Sequence, residues 1–329
     1  MEDWLSIAAD HASAVLVTVA IVEGSVPREP GAKMLVDAGR QWGTVGGGHL
    51  ELRGAQAARA MLASGETRRL ERFPLGPSLG QCCGGVVHLA FELVDRDHLA
   101  ALAARRDRDS WRLVSLDAAP DGAAALALLD AEGRVVHGSA AVPAFDRTLG
   151  TQVLRDQAGR RWLADLVAAP RAHLMLFGAG HVGAAIVRAF ADLPCRVTWV
   201  DERDDLFPAT LPDNVTVEAT DTPETLAQSA PAGTSFLVMT HSHALDQRLA
   251  ETILKRPGHD WFGLIGSSTK RSQFERRLRE RGVGQERLDA MVCPIGVPGI
   301  AGKLPAVIAV AVAAQLLTVW EAALVNERI

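Results

Sequence analysis

The clearest candidate for a ligand-binding site in this sequence is a glycine turn, Gly178-x-Gly180-x-x-Gly183. A strand is predicted before the turn and a helix begins inside it, so backbone N–H groups and the positive end of the helix dipole converge there. Such a turn favours an anion. The spacing therefore predicts a site for a small molecule that carries a phosphate.

Each position in this turn has an expected task. Gly178 permits the tight turn, Gly180 lets the backbone approach a phosphate, and Gly183 lets the helix pack against the strand. Asp201 follows about 20 residues later and closes the next predicted strand. It either accepts hydroxyls of a ribose or caps the turn after its strand. His181, inside the turn, either hydrogen-bonds the phosphate or lies in solvent.

A second reactive group is the adjacent pair Cys82 and Cys83 in a glycine-rich segment before a predicted strand. The sequence has no CxxC pattern and no second cysteine pair, so the spacing does not indicate a zinc site. Adjacent thiols in a glycine turn suit contact with a soft metal or the acceptance and transfer of sulfur. The alternative is that both are small buried residues.

Three further residues stand at the carboxyl end of a predicted strand: His241, His243 and Asp246. They approach the HxHxD pattern of metallohydrolases, although the carboxylate comes one residue late. Because strand ends line the ligand crevice of a doubly wound sheet, His241 is a candidate ligand contact. Cys293, in a later turn, is expected to be a buried structural thiol.

The elements that must position these residues indicate an α/β protein with two domains. Residues 1–168 are predicted to form an N-terminal α/β domain with a mixed sheet, which contains the cysteine pair. Residues 169–329 alternate strand and helix, which predicts a Rossmann-like doubly wound domain that ends in an apolar helix. Residues 95–165 are predicted to form strands and hairpins and contain few candidate functional residues.

Composition excludes several classes of protein. The chain has 329 residues and a net charge of −5, so nothing global attracts nucleic acid or an anionic membrane. The apolar run at residues 305–320 is shorter than the roughly 18–20 residues of a membrane span and contains Gln315, so it predicts a buried helix. Four cysteines do not form a disulfide framework in a chain of this length. We expect a cytoplasmic protein with reduced thiols.

The set of motifs, in this order, resembles the XdhC family of accessory proteins for xanthine dehydrogenase, within the XdhC/CoxI superfamily. The matching segments are GSVPREPGAKM (residues 24–34), GTVGGGHLE (43–51), LGQCCGG (79–85), FGAGHVG, TWVDER, MTHSHALD, GLIGSSTKR and CPIGVPGIAGKLPAVIAVAVAAQLL. Residues 95–165 carry none of them.

The resemblance implies a chaperone for the molybdenum cofactor, without turnover of its own, that serves purine catabolism. Such a protein holds the cofactor during sulfuration by a cysteine desulfurase and inserts it into the molybdenum subunit of apo-xanthine dehydrogenase. Molybdenum cofactor biosynthesis proteins are further partners, and a homo-oligomer is expected. CoxI-type relatives tend to have an acid after the proline, where this chain has Pro305 and Ala306, which favours the molybdopterin form without a nucleotide.

Within this reading the cofactor-binding residues are expected to be Gly178, Gly180, His181, Gly183, Asp201, His241, Cys82 and Cys83, with transient molybdenum contact at the two cysteines. A different function is also open: an NAD(P)-binding oxidoreductase that uses the GAGHVG turn. A metallohydrolase built on His241, His243 and Asp246 is a third.

Overall fold

The computed structural model describes residues 4–5, 7, 13–76, 84–117 and 125–326. Two compact units divide the chain, residues 1–169 and 170–329. The α/β class expected from the sequence is confirmed. The strand pairs described in the first unit are antiparallel, so its sheets are not mixed as expected.

The first sheet of the N-terminal unit has the order β3-β2-β1-β5-β4. Its strands are β1 (Val15–Glu23), β2 (Lys33–Val36), β3 (Gln41–Gly43), β4 (Arg68–Pro74) and β5 (Val86–Leu93), and helix α1 (Gly48–Ser64) packs on one face. Leu50, Gly54, Ala58 and Met61 of α1 are buried at helical spacing. Strand β4 is not predicted from the sequence because arginine and glutamate residues interrupt its apolar alternation.

The second sheet of this unit has the order β8-β7-β6-β10-β9. Helix α2 (Arg96–Ala103) precedes its strands, β6 (Ser110–Ser115), β7 (Leu126–Asp130), β8 (Val135–Gly138), β9 (Gln152–Arg155) and β10 (Arg161–Val167). The two predicted hairpins, β7–β8 and β9–β10, are confirmed. Leu16 and Ala20 of the first sheet pack with residues of the second, so the two sheets share a core.

Charged side chains are buried inside this core. Asp165 accepts hydrogen bonds from Lys33 Nζ at 2.8 Å and Arg112 Nη1 at 2.9 Å, and Arg112 Nη2 donates to Glu92 at 2.7 Å. Burial alone would raise the pKa of Asp165, but the two cations outweigh it and hold this pKa below its usual value. We call Lys33, Glu92, Arg112 and Asp165 the buried ion cluster.

His98 of α2 lies in the same core and is 1% exposed. Neither of its ring nitrogens has a hydrogen-bond partner among the described residues. Burial, and then the charge of Arg112, lowers the pKa of His98 to about 3. The ring is therefore neutral in the folded protein, and a proton on it would be an uncompensated buried charge.

We expect His98 to make the N-terminal unit sensitive to acid. Its folded pKa lies below the unfolded value of about 6.5, so between these values the unfolded chain binds more protons and stability falls as the pH falls. Between pH 7 and pH 5 this costs about 2 kcal/mol. Urea unfolding followed by circular dichroism should show a shallower pH dependence for His98→Leu than for wild type. Replacing the exposed His49 by alanine is the control, and equal slopes for His98→Leu and wild type would contradict the assignment.

The C-terminal unit contains a parallel sheet with the order β13-β12-β11-β14-β15, which confirms the Rossmann arrangement. Its elements are β11 (Ala172–Phe177), α3 (His181–Phe190), β12 (Cys195–Asp201), a 3₁₀ turn (Asp204–Leu206), β13 (Val215–Ala219), α4 (Pro223–Ser229), β14 (Ser235–Val238), α5 (His243–Leu254), β15 (Phe262–Leu264), α6 (Ser268–Glu280), α7 (Gln285–Ala290) and α8 (Pro305–Asn326). Helices α3 and α8 cover one face, and α4, α5 and α6 cover the other.

Helix α8 is buried on one side only, which corrects the expectation of a buried helix. Ala309, Val312 and Leu316 pack into the core, and Trp320 meets Phe190 edge to face at 5.9 Å. Val310 on the other side is 61% exposed. Within the described part of the chain this is the one helix long and apolar enough to cross a membrane, and 28% of its apolar stretch is buried.

Candidate functional site

The glycine turn connects β11 to α3, and two of its glycines are required by packing. Gly178 has a φ of 121°, and a Cβ there would lie 2.4 Å from the carbonyl oxygen of Met239. A Cβ at Gly183 would lie 2.1 Å from the carbonyl oxygen of Gly178. That same oxygen accepts a hydrogen bond from Trp199 Nε1 at 3.0 Å. Contacts from the end of β14, from α3 and from β12 therefore fix the conformation of the turn.

Gly180 differs from both of these glycines. Its φ of −74° suits any residue, and a Cβ built on it meets no atom of the described residues within 4 Å. Packing among the residues that the structure describes does not explain a glycine here. Gly180 is the N-cap of α3. The first hydrogen bond within the helix runs from Ala184 N to Gly180 O. The backbone N–H groups just before Ala184 therefore have no acceptor within the helix. His181, the first helical residue, is exposed beside them.

Asp201, at the end of β12, is bonded to the turn itself. Its Oδ2 accepts from Ala179 N at 2.6 Å, and Arg203 forms a two-point contact with its carboxylate at 2.8 and 2.9 Å. Arg203 N also donates to Oδ1 at 3.1 Å, which is a capping contact. Burial would raise the pKa of Asp201, but Arg203 and the backbone donors hold it below its usual value. Sequence reasoning missed Arg203, although the Asp-x-Arg spacing was its signal.

A narrow crevice opens at the carboxyl ends of β11, β12 and β14, between Pro223 and Leu245. His241 lies on its wall, with Nε2 3.3 Å from Glu202 Oε1. Both side chains are more than 40% exposed, at 46% and 42%. The pair thus joins the end of β14 to the end of β12 beside the turn. Among the predicted site residues, Gly178, Gly180, His181, Gly183, Asp201 and His241 lie on these strand ends and the adjoining start of α3. Sequence reasoning missed Glu202.

Asp246 does not take part in a metal site. Its Oδ1 accepts from the amide and hydroxyl of Thr240 at 3.0 and 2.7 Å, and its Oδ2 accepts from Lys270 Nζ at 2.7 Å. Asp246 is fully buried, so this network fixes the loop that carries His241. No group of three or more His, Cys, Asp or Glu side chains able to hold a metal ion occurs in the described residues. This geometry argues against the metallohydrolase alternative.

The cysteines fall into two sets. Cys195 and Cys293 are buried and free, and burial raises the pKa of Cys195 to about 12 and also raises that of Cys293. Both thiols are therefore protonated and unreactive at neutral pH. Cys82 and Cys83 lie outside the described residues. The segment that contains them ends at Gly85, whose N–H donates to the carbonyl oxygen of Ser25 at 3.1 Å.

Two other N-terminal motifs have structural contacts. Lys33, the last polar residue of GSVPREPGAK, belongs to the buried ion cluster. In GTVGGGHLE, Glu51 accepts from Thr44 Oγ1 at 2.5 Å and from Gly47 N at 3.1 Å at the start of α1. Carboxylates stabilise a helix N-terminus in this way. The first contact joins β2 to β10, and the second fixes the loop that precedes α1.

Comparisons with known proteins agree with this architecture. Residues 174–316 match the XdhC Rossmann domain, and residues 7–74 match the XdhC and CoxI family. A crystal structure described as a xanthine dehydrogenase (BH1974) from Bacillus halodurans superposes with a TM-score of 0.72 and 22% identity, over 97% of this chain and 95% of that one. At this identity the likeness establishes the fold.

A sequence relative is the "Uncharacterized protein YqeB" of Escherichia coli (strain K12), which is 28% identical over 194 residues. The match covers 59% of this chain and 35% of the relative, so this chain spans about a third of that protein. The two family matches follow each other along the chain and together cover more than half of it. The chain belongs to the XdhC family.

Proposed function

We propose that this protein is a chaperone for the molybdenum cofactor in the maturation of xanthine dehydrogenase. It holds the cofactor during sulfuration and then delivers it to the apoenzyme. The observation that carries this proposal is the glycine turn of an XdhC-family chain, in which no described residue packs against the position of a Cβ at Gly180. Such an opening suits close approach of a phosphate to the backbone.

The phosphate of the cofactor would bind at the start of α3. The N–H groups that precede Ala184 point out of the helix end, and the helix dipole adds a positive potential. His181 stands at the first helical position and is exposed, so it can donate to a phosphate oxygen. Gly178 and Gly183 keep the turn in the shape that presents these donors.

The wall formed by Glu202 and His241 would contact the organic part of the cofactor. A carboxylate accepts hydrogen bonds, and a neutral imidazole offers one donor and one acceptor. A pterin carries both N–H donors and ring acceptors on its edge. Because these side chains are exposed beside the turn, they can exchange their mutual contact for contacts with a ligand.

The metal end would meet Cys82 or Cys83. The residue types carry this part of the proposal, since a thiolate suits molybdenum in a sulfur-rich setting. The two buried thiols, Cys195 and Cys293, are poor alternatives because burial raises their pKa values. Molybdenum is the cargo here and not a resident metal.

The proposed partners follow from this task. A cysteine desulfurase supplies the sulfur, molybdenum cofactor biosynthesis proteins supply the cofactor, and the molybdenum subunit of apo-xanthine dehydrogenase receives it. The protein performs no turnover of its own. We propose a cytoplasmic homo-oligomer and the molybdopterin form of the cofactor, without a nucleotide.

The NAD(P)-dependent oxidoreductase remains the alternative function, because GAGHVG is also a dinucleotide pattern. The contacts of Asp201 count against it. In a dinucleotide site this acid accepts hydroxyls of the ribose, whereas here its carboxylate is bonded to Ala179 and Arg203.

Retention of the cofactor tests the proposal. Purified protein is mixed with molybdenum cofactor and passed through a gel-filtration column, and the pterin that elutes with the protein is measured by its fluorescence after oxidation. Wild type should retain the cofactor, and the Cys82→Ala and Cys83→Ala double variant should release most of it. Gln81→Ala is the matched control because it changes the same segment and keeps both thiols. A wild-type protein that retains no cofactor would refute the proposal.

A further inference from the structure

The carboxylate of Asp201 has four donors within hydrogen-bond distance, two on each oxygen. Oδ1 accepts from Arg203 N at 3.1 Å and Arg203 Nε at 2.8 Å. Oδ2 accepts from Ala179 N at 2.6 Å and Arg203 Nη2 at 2.9 Å. An ionised carboxylate offers about four lone-pair positions. All of them are used within the protein.

This saturation matters because of where Asp201 lies. It ends the second strand of a Rossmann sheet, directly beside the glycine turn, where the acid of a dinucleotide site accepts a hydrogen bond from a ribose hydroxyl. A ribose that entered this site would meet a carboxylate with no acceptor left. Its hydroxyls would lose their water without a replacement, which costs binding free energy.

Arg203 is the residue that occupies the acceptor positions of the Asp201 carboxylate on the solvent side. Its side chain is 37% exposed, whereas the side chain of Asp201 is 3% exposed, so the guanidinium covers the carboxylate from the solvent side. The remaining donor, Ala179 N, belongs to the glycine turn. The carboxylate of Asp201 therefore binds the backbone of the glycine turn and also holds Arg203 on its solvent side.

We infer that Asp201 and Arg203 determine the specificity of the turn by excluding ligands that carry a ribose diol next to the phosphate. The turn accordingly selects a small molecule with a terminal phosphate and no nucleotide. The exclusion of nucleotides stands on the geometry alone, and the identity of the accepted ligand rests on the proposed function. Asp201 is a positioning residue in this scheme, and Arg203 blocks the ribose position.

Calorimetric titration with NAD tests the inference. Wild type should bind NAD more weakly than about 1 mM. Arg203→Ala frees the carboxylate and should tighten NAD binding by at least about tenfold. Arg203→Met, which keeps the stem and removes the donors, should do the same if the alanine variant folds poorly. The gain should disappear when Asp201→Asn is added to Arg203→Ala, because the amide accepts at one atom only.

Arg196→Ala is the matched control, since this exposed arginine lies at the opposite end of the same strand and should leave NAD binding unchanged. Equal NAD affinity in wild type and Arg203→Ala would overturn the inference, and so would a gain that survives Asp201→Asn. Cofactor retention is measured on wild type in parallel. A wild type that retains no cofactor while Arg203→Ala gains NAD binding would refute the proposed function and support the exclusion.

Discussion

Gly180→Ala should fold like wild type and lose at least about tenfold in affinity for the cofactor, which corresponds to roughly 1.4 kcal/mol. The described part of the free protein leaves room for this methyl group, since none of its atoms lies within 4 Å of the added Cβ. The loss arises in the complex, where the methyl group would occupy the space that a phosphate needs against the backbone.

Two variants make this expectation specific. Gly284→Ala places alanine at the N-cap of α7, where φ is −67° and the space is also open, so it measures the cost of alanine at a cap without a ligand site. Gly183→Ala should instead lower the free energy of unfolding by about 3 kcal/mol because its Cβ overlaps the carbonyl oxygen of Gly178. Unchanged cofactor affinity in Gly180→Ala would place the phosphate elsewhere.

Asp165→Ala should destabilise the protein by about 3–5 kcal/mol, the usual cost of removing one partner from a buried ion pair. The substitution leaves Lys33 and Arg112 without this carboxylate in the core, where their side chains are 6% and 2% exposed. It also removes the acceptor of Thr151 Oγ1. Urea unfolding followed by circular dichroism measures the loss.

Asp146→Ala is the control for this change, because Asp146 is an exposed loop carboxylate whose removal should matter by no more than about 0.5 kcal/mol. A loss below about 1 kcal/mol for Asp165→Ala would show that the buried ion cluster contributes little to stability. In that case the two sheets would be held together by apolar contacts such as those of Leu16 and Leu128.

The Rossmann half of the fold could be predicted from the sequence because its signals are local. Strands such as β11 are short apolar runs, and α3 carries apolar residues at helical spacing, of which Ile186, Val187 and Phe190 are buried. The N-terminal unit was harder to predict. Its pairs join distant segments, as in Val15 with Leu93, and the sequence of β4 resembles a polar loop because arginine and glutamate residues interrupt its apolar alternation.

The candidate site was predictable in position and not in detail. Spacing brought Gly180 and Asp201 to one end of the sheet, but it left two roles open for Asp201. The choice between these two roles depends on Arg203. The sequence does not indicate whether its guanidinium contacts Asp201 or extends into solvent. Similarly, the histidines of the THSHALD segment approach a metal-binding pattern, and the contacts of Asp246 with Thr240 and with Lys270, 24 residues away, argue against it.

The indole of Trp199, one of the seven tryptophans of the chain, is a spectroscopic reporter in direct contact with the turn. Its N–H donates to the carbonyl oxygen of Gly178, and its ring is completely buried against Phe207. A charged ligand that docks on the turn alters the electric field along that bond and hence the colour of the indole emission. Under the proposed function, the binding of the cofactor and its release to an acceptor would therefore be timed in a rapid-mixing instrument without an attached dye.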